Sequence, residues 1–206
     1  MTTIVAPVVT VSRPRRVLDV TVAAFGLVAL SPVFVVIAAA IRLETPGPVI
    51  FRQERIGEGG TLFTLWKFRS MRQSRDGPEV TAPGDERVTR VGRSLRRAGL
   101  DELPQLVNIL RGEMTLVGPR PETPALAIRY PTECKVVFRY RPGLTGPAQV
   151  RLRDDETIPD RIDDVQEYYL RAIVPRRVAI DLEFQASASL RSTWAVMRET
   201  AAYVLK

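Results

Sequence analysis

From Val17 to Ile41 the chain runs for 25 residues with a single charge, Asp19, and a Ser31-Pro32 pair near its centre. At about 1.5 Å per residue, a straight helix of that length would cross the roughly 30 Å hydrocarbon layer of a bilayer. Pro32 argues against a straight helix. It has no backbone N–H and its ring collides with the carbonyl four residues earlier, so a kink is expected between Phe25 and Pro32. Lipid cannot satisfy the freed carbonyls, which leaves Ser31 or neighbouring protein to do so. Both flanks are basic, with Arg13, Arg15 and Arg16 before the stretch and Arg42, Arg52 and Arg55 after it. The positive-inside rule favours the same side for both, which a sharp bend allows and a single crossing does not. The stretch therefore reads as a re-entrant helix pair, ahead of an ordinary span or a buried soluble helix. Apolar sequence continues past Leu30-Ser31-Pro32-Val33, so signal-peptide cleavage is not expected there. Asp19 is expected at the membrane interface, paired with Arg15 or Arg16.

Thirty Lys and Arg against 23 Asp and Glu leave a net charge of +7. That balance suits a phosphorylated small molecule, an anionic lipid or a nucleic acid, with plain solubility as the simpler account. Nucleic-acid binding would not explain the apolar hairpin and is set aside. With one cysteine, Cys134, and no histidine, an internal disulfide and His chemistry are both excluded. Any catalysis has to run on carboxylates, Lys, Arg or Tyr.

The chain divides into a loose tail over 1–12, the bent helix over 13–44 and a compact unit over 45–206. Thr45-Pro46-Gly47-Pro48 ends the apolar segment in a turn. Val49-Ile50-Phe51 and Leu62 to Phe68 read as two strands of a hairpin joined through Gly57 to Gly60. Residues 73–86 read as a loop, and the acid-rich stretch from Arg153 to Glu167 as a solvated face. Leu182, Ala186, Leu190, Trp194, Met197, Ala201 and Val204 recur at the spacing of one long amphipathic helix, which suits the core or a membrane interface.

Chemistry concentrates around Asp101 and Glu102. They follow Arg87, Arg90, Arg93, Arg96 and Arg97, whose spacing places several guanidiniums on one broad helix face. Asp101 is expected to cap the next helix, with Pro104 in its first turn, Leu103, Leu106, Val107 and Leu110 on its apolar side, and Gly112 at its end. A helix start beside arginines is an anion site, here with two carboxylates in it. The helix dipole would keep Asp101 ionised. Pro119 and Pro121 restrict the backbone on either side of Arg120 and so present its guanidinium at a fixed point. Arg141-Pro142-Gly143 repeats the style.

In this order these motifs resemble the bacterial sugar transferases known as monotopic phosphoglycosyl transferases. The resemblance covers nearly everything from Arg16 to Leu205. It rests on Ser31-Pro32, Pro46-Gly47-Pro48, Phe51-Arg52-Gln53-Glu54-Arg55-Ile56-Gly57, Lys67-Phe68-Arg69-Ser70-Met71, Asp101-Glu102-Leu103-Pro104-Gln105-Leu106, Asn108, Gly112-Glu113-Met114, Val117-Gly118-Pro119-Arg120-Pro121 and Arg141-Pro142-Gly143-Leu144-Thr145-Gly146. It departs from the family's pattern at Pro147, Leu152 and Gln166. The fold it implies is an α/β, mostly helical monotopic membrane protein: a re-entrant helix hairpin, a compact cytosolic catalytic domain with a small β-hairpin, and amphipathic interfacial helices. The length resembles the minimal catalytic form, without the additional transmembrane helices of larger members.

The activity implied is transfer of a sugar 1-phosphate from a UDP-sugar to polyprenyl (undecaprenyl) phosphate, with release of UMP, at the cytoplasmic leaflet of the bacterial inner membrane. In that reading Asp101 is the nucleophile that takes up the phosphosugar and Glu102 is a ligand for magnesium (Mg2+). Lys67, Arg96 and Arg120 are the phosphate contacts, with Arg69 and Arg141 behind them, and Ser31, Pro32, Pro119 and Pro121 are structural. A homo-oligomer is left open. The competing expectations are a UDP-sugar hydrolase on the same fold and a non-catalytic, membrane-docked assembly protein of a polysaccharide system.

Overall fold

The computed structural model describes residues 8–72, 85–152 and 164–204. The N-terminal end of the tail, most of the 73–86 loop and most of the acidic stretch lie outside the described residues. Helix α1 (Arg13–Ala29) meets α2 (Ser31–Glu44) at an angle of 61°. No single helix among the described residues is long and apolar enough to cross a membrane. Because Pro32 cannot donate, the Val28 carbonyl loses its partner in the helix, and Ser31 Oγ donates to it instead at 2.8 Å. The bend thus has the cause and the compensation expected of Ser31-Pro32. Around it Phe25, Val28, Val35 and Val36 are each about 70% exposed, a contiguous apolar surface on two helices.

The chain then forms the hairpin of β1 (Ile50–Ile56) and β2 (Leu62–Phe68), antiparallel, with Arg52 opposite Trp66 and Phe51 opposite Lys67. Helix α3 (Arg90–Arg97) is capped by Thr89 and by Glu44 of α2, which accepts from the Arg90 and Val91 amides. Helix α4 (Gln105–Arg111) ends at Gly112 as expected. Strand β3 (Thr115–Val117), helix α5 (Pro124–Ile128) and strand β4 (Gly143–Thr145) follow, with β3 and β4 paired in parallel. Helix α6 (Pro147–Arg151) comes next; α7 (Val165–Tyr168) continues through a π turn into α8 (Val174–Ala186), and α9 (Leu190–Val204) closes the fold.

Three expectations are corrected. The tail is anchored where it is described, since Val9 pairs with Tyr140 and its amide donates to the Arg139 carbonyl. Asp19 is not at an interface with Arg15 or Arg16. It is 1% exposed and accepts from Thr115 Oγ1 at 2.8 Å and the Leu116 amide at 2.9 Å, while Arg15 donates to the Val117 carbonyl. The C-terminal helix is two helices. Ser189 and Ser192 cap the start of α9 by exchanging amide-to-hydroxyl hydrogen bonds, a reciprocal capping box. Thr193 and Val196 of α9 face inward, leaving Leu190 and Trp194 exposed.

Ala23 of α1 belongs to the same core as β2, β3 and α4, packed with Leu65, Leu106, Ile109, Leu116, Phe184 and Val196. Farther along, Ile37 and Ile41 of α2 pack with Phe68 and Leu95. Asn108, fully buried, joins α4 to the outer edge of β2. It accepts from the Trp66 amide and donates to the Thr64 carbonyl and to Glu113. Without it the Trp66 amide and the Thr64 carbonyl on the edge of β2 would lose their protein partner. This clamp sets Lys67, one residue beyond Trp66, against the turn that precedes α4.

Candidate active site

Along β2 the side chains of Phe63 and Leu65 point into the core, and alternation puts Lys67 on the same face. Asp101 and Glu102 come from a 3-10 turn, Leu100–Glu102, and not from the cap of α4, as had been expected for Asp101. Gly99 stands at the head of that turn with φ of 65°, a left-handed conformation that a side chain would strain. Lys67 Nζ donates to Glu102 Oε1 at 2.7 Å, and the two side chains are only 18% and 20% exposed. Arg120 Nη1 stands 4.0 Å from the same oxygen.

Arg120 is exposed between buried Pro119 and Pro121, and its backbone is held from several sides. The Gly143 amide donates to the Pro119 carbonyl, Arg55 Nη1 to the Pro121 carbonyl, and the Ile56 amide to the Glu122 carbonyl. Glu122 is itself buried and accepts from Tyr169 Oη at 2.7 Å, which in turn accepts from Arg177 Nη1. Behind Pro119 and Pro121 stands a buried polar frame that the sequence reading missed.

Burial dominates the electrostatics. It pushes the Asp101 carboxyl above the ordinary carboxylate range; Lys67 and Arg96 pull it back, and Glu102 pushes it further up. The direction is opposite to the one a helix dipole would give Asp101. No Lys or Arg forms an ion pair with Asp101 among the described residues. Glu102 behaves in the opposite way. Burial opposes its charge, but Lys67, Arg120 and Arg55 outweigh that and hold it below the usual range. Lys67 is lowered, by burial first and by Arg120 next, against the pull of Glu102 and Asp101. The site thus sets a carboxylate paired with cations beside one that has no ion pair among the described residues, and their environments push the two in opposite directions, as acid–base and nucleophilic sites require.

The remaining arginines have different places. Arg96 donates through Nε to Ser70 Oγ and through Nη2 to Met71 Sδ, and its charge reaches Asp101. Its helix sits close because Gly92 leaves room; a Cβ there would lie 1.9 Å from the Ser70 carbonyl oxygen. Arg69 is buried and donates to the Thr45 and Pro46 carbonyls and to Thr45 Oγ1, so it fastens the turn after α2. Arg141 is paired with Glu58 at 2.6 Å and borders a separate cavity with Thr10, Ser12 and Arg15. Of the departures from the family's pattern, Pro147 opens α6, Leu152 is buried behind it, and Gln166 lies in α7.

The cleft beside Lys67 and Glu102 is lined also by Arg55, Arg120, Gln105, Leu144 and Gln149. Gln105 and Gln149 were not singled out from sequence, and Arg55 only as a basic flank of the apolar stretch, although Arg55 and Gln105 sit inside quoted motifs. Among the described residues no three His, Cys, Asp or Glu side chains cluster as a metal cage. The donor set instead fits a metal shared with substrate. Asp101 and Glu102 are hard oxygen ligands, and Glu102 Oε2 has no protein partner among the described residues. Magnesium is commonly held by one or two carboxylates and completed by phosphate oxygens.

Comparison with known proteins gives this cleft a context. The family profile "Bacterial sugar transferase" matches residues 11–206. A UDP-glucose:undecaprenyl-phosphate glucose-1-phosphate transferase of Caulobacter vibrioides is 51% identical over 151 residues, covering 70% of this chain and 56% of that protein. The protein of the same description from Escherichia coli is 40% identical, covering 82% of this chain and 35% of its own length. A Bacillus subtilis protein described as a putative undecaprenyl-phosphate N-acetylgalactosaminyl 1-phosphate transferase is 42% identical, covering 68% and 78%. The chain spans about half of the Caulobacter protein and about a third of the Escherichia one. With its profile matched from the tail to the last residue, the chain belongs to the bacterial sugar transferase family.

Proposed function

We propose that this chain moves a sugar 1-phosphate from a UDP-sugar onto a polyprenyl phosphate, undecaprenyl phosphate in a bacterial membrane, and releases UMP. The observation that carries the reading is the pairing of an unpaired, buried Asp101 with a cleft whose cations, Lys67 and Arg120, converge on the adjacent Glu102. An Asp101 oxygen attacks the β-phosphorus of the donor. The bond from that phosphorus to the bridging oxygen breaks, and UMP leaves with the electron pair. The lipid phosphate oxygen then attacks the same phosphorus, the bond to Asp101 breaks, and the carboxylate is regenerated with a polyprenyl diphosphosugar as product. An aspartate whose charge is poorly solvated is a stronger nucleophile than one held by ion pairs, which suits Asp101 to the attack. Lys67, Arg120 and Arg55 offset the diphosphate charge. Magnesium bound by Glu102 and the substrate phosphates would neutralise the same charge and stabilise the departing UMP.

A two-step route lets a soluble donor and a lipid acceptor use one site in turn. The exposed apolar elbow at Phe25, Val28, Val35 and Val36 supports seating in one leaflet, with the cleft at headgroup depth. The basic flanks favour the cytoplasmic leaflet of the inner membrane. The test is UMP release from a panel of UDP-sugars by protein in nanodiscs, with and without undecaprenyl phosphate. Lipid-dependent release supports the transferase. Equal release without lipid would indicate a hydrolase, and no release from any donor would refute the catalytic reading.

A further inference from the structure

Gln105 opens α4 and is 2% exposed, yet its carboxamide has no hydrogen-bond partner among the described residues. Its amide atoms are not among those sealed from solvent, and the residue lines the cleft of Lys67, Glu102 and Arg120. Buried amides are nearly always bonded, and Asn108, three residues along the same helix, shows what a structural amide does here: it makes three hydrogen bonds to β2 and Glu113. Gln149 of α6, half-buried on the cleft wall, likewise has no partner among the described residues. The cleft therefore holds two carboxamides kept in place by the fold and left unspent by it.

We propose that Gln105 and Gln149 read the transferred sugar, with Gln105 hydrogen-bonding the substituent beside the anomeric phosphate; this rests on the transferase reading above. Charge decides which part of the donor they meet. Lys67, Arg55 and Arg120 answer the phosphates, whereas a neutral amide offers donors and an acceptor that suit a hydroxyl or acetamido group. Position decides which substituent. Gln105 follows Glu102 by three residues in the chain and lines the same cleft, which places it next to the turn that carries Asp101, the group that takes up the phosphorus. The sugar carbon next to that phosphate is the 2-position. The remaining hydroxyls reach across the cleft toward Gln149.

The test compares kcat/KM for UMP release with the wild type's best UDP-sugar and with its 2-deoxy counterpart, in wild type, Gln105→Met and Gln149→Met. A site that hydrogen-bonds a substrate group rejects the analogue lacking it, so wild type is expected to disfavour the 2-deoxy donor by at least about tenfold. Gln105→Met, similar in length but without donors, is expected to lose roughly that factor on the parent donor and little on the 2-deoxy one, collapsing the ratio. Gln149→Met, at a half-buried position tolerant of change, is expected to keep the ratio and alter the ranking of donors that differ beyond the 2-position. An unchanged ratio in Gln105→Met, or equal loss on both donors as a folding defect would give, overturns the assignment of Gln105. An unchanged ranking in Gln149→Met overturns that of Gln149. Lipid-dependent turnover by wild type with these ratios unmoved defeats this inference alone, whereas absence of such turnover defeats the transferase reading with it.

Discussion

Replacing Asp101 with Asn is expected to abolish turnover and, at the same time, to stabilise the protein. Asp101 is 7% exposed, its carboxyl is raised by burial, and it has no ion pair among the described residues. Burying a carboxylate that no cation pairs costs on the order of 1–3 kcal/mol, and the hydrogen bond from its own backbone amide offsets part of that. Lys67 and Arg96 return part of that, so a net gain of about 1–2 kcal/mol is expected on neutralisation, or roughly 2–8 °C in the thermal midpoint of a chain this size. The pH dependence follows from the direction of the shift. A carboxyl raised in the folded state binds more protons there than in the unfolded chain, so wild type loses stability as pH rises from the ordinary carboxylate range through the folded pKa. Asn titrates nowhere. The gap between variant and wild type should therefore be small near pH 4 and widen toward pH 7 (ordinary Asp value 3.8). Thermal unfolding in detergent across that range, with intact-mass detection of the phosphosugar adduct, tests both halves. A variant less stable than wild type at neutral pH would refute the electrostatic argument, and an adduct in the variant would remove Asp101 as nucleophile.

Lys67→Met should lower kcat/KM at least about tenfold and also destabilise, because it leaves Glu102 with Arg120 at 4.0 Å and the weaker influence of Arg55. Adding Glu102→Gln should restore much of the midpoint but none of the activity, as a double-mutant cycle would reveal. Arg120→Ala should cost about tenfold in kcat/KM with the midpoint unchanged, whereas Arg69→Ala, losing three hydrogen bonds to Thr45 and Pro46, should cost about 2–4 kcal/mol of stability instead; the reverse pattern would exchange their roles. EDTA should stop the reaction and Glu102→Gln should raise the magnesium needed; activity that survives chelation removes the metal from the proposal. A cysteine at Thr10, with Cys134 replaced, should resist an impermeant periplasmic reagent in intact cells, since the neighbouring Val9 pairs with Tyr140; labelling would mean a true span.

Local pattern carried far in this chain, and failed where partners are distant. The hairpin was legible because β1 and β2 are close in sequence, and α4 because its apolar repeat ends at Gly112. The bend was legible because Ser31 and Pro32 contain both its cause and its remedy. Asp19 was misplaced since Thr115 and Leu116 lie almost a hundred residues on. Lys67, Arg69 and Arg141 look alike in sequence; only folding gives Arg69 to Thr45 and Arg141 to Glu58 and leaves Lys67 in the cleft. The break before α9 did have a signal, Ser189 with Ser192, but the apolar spacing runs straight across it. For Asp101 the error was one of sign: burial, which no short motif reports, outweighs the helix terminus.

The hydrogen bonds from α1 to β3 also impose an order on the chain's birth. Asp19 and Arg15 precede the strand that receives them by 96 and 102 residues. At a synthesis rate of about 5–20 residues per second, the emerging helix waits on the order of 5–20 s before those acceptors and donors exist. During that interval a carboxylate and a guanidinium four residues apart have only water and each other, which keeps the start of α1 at the aqueous boundary while the apolar elbow seeks lipid. The late arrival of β3 then draws the helix base into the protein, so that the same two charges, solvated first, lock the finished fold afterwards.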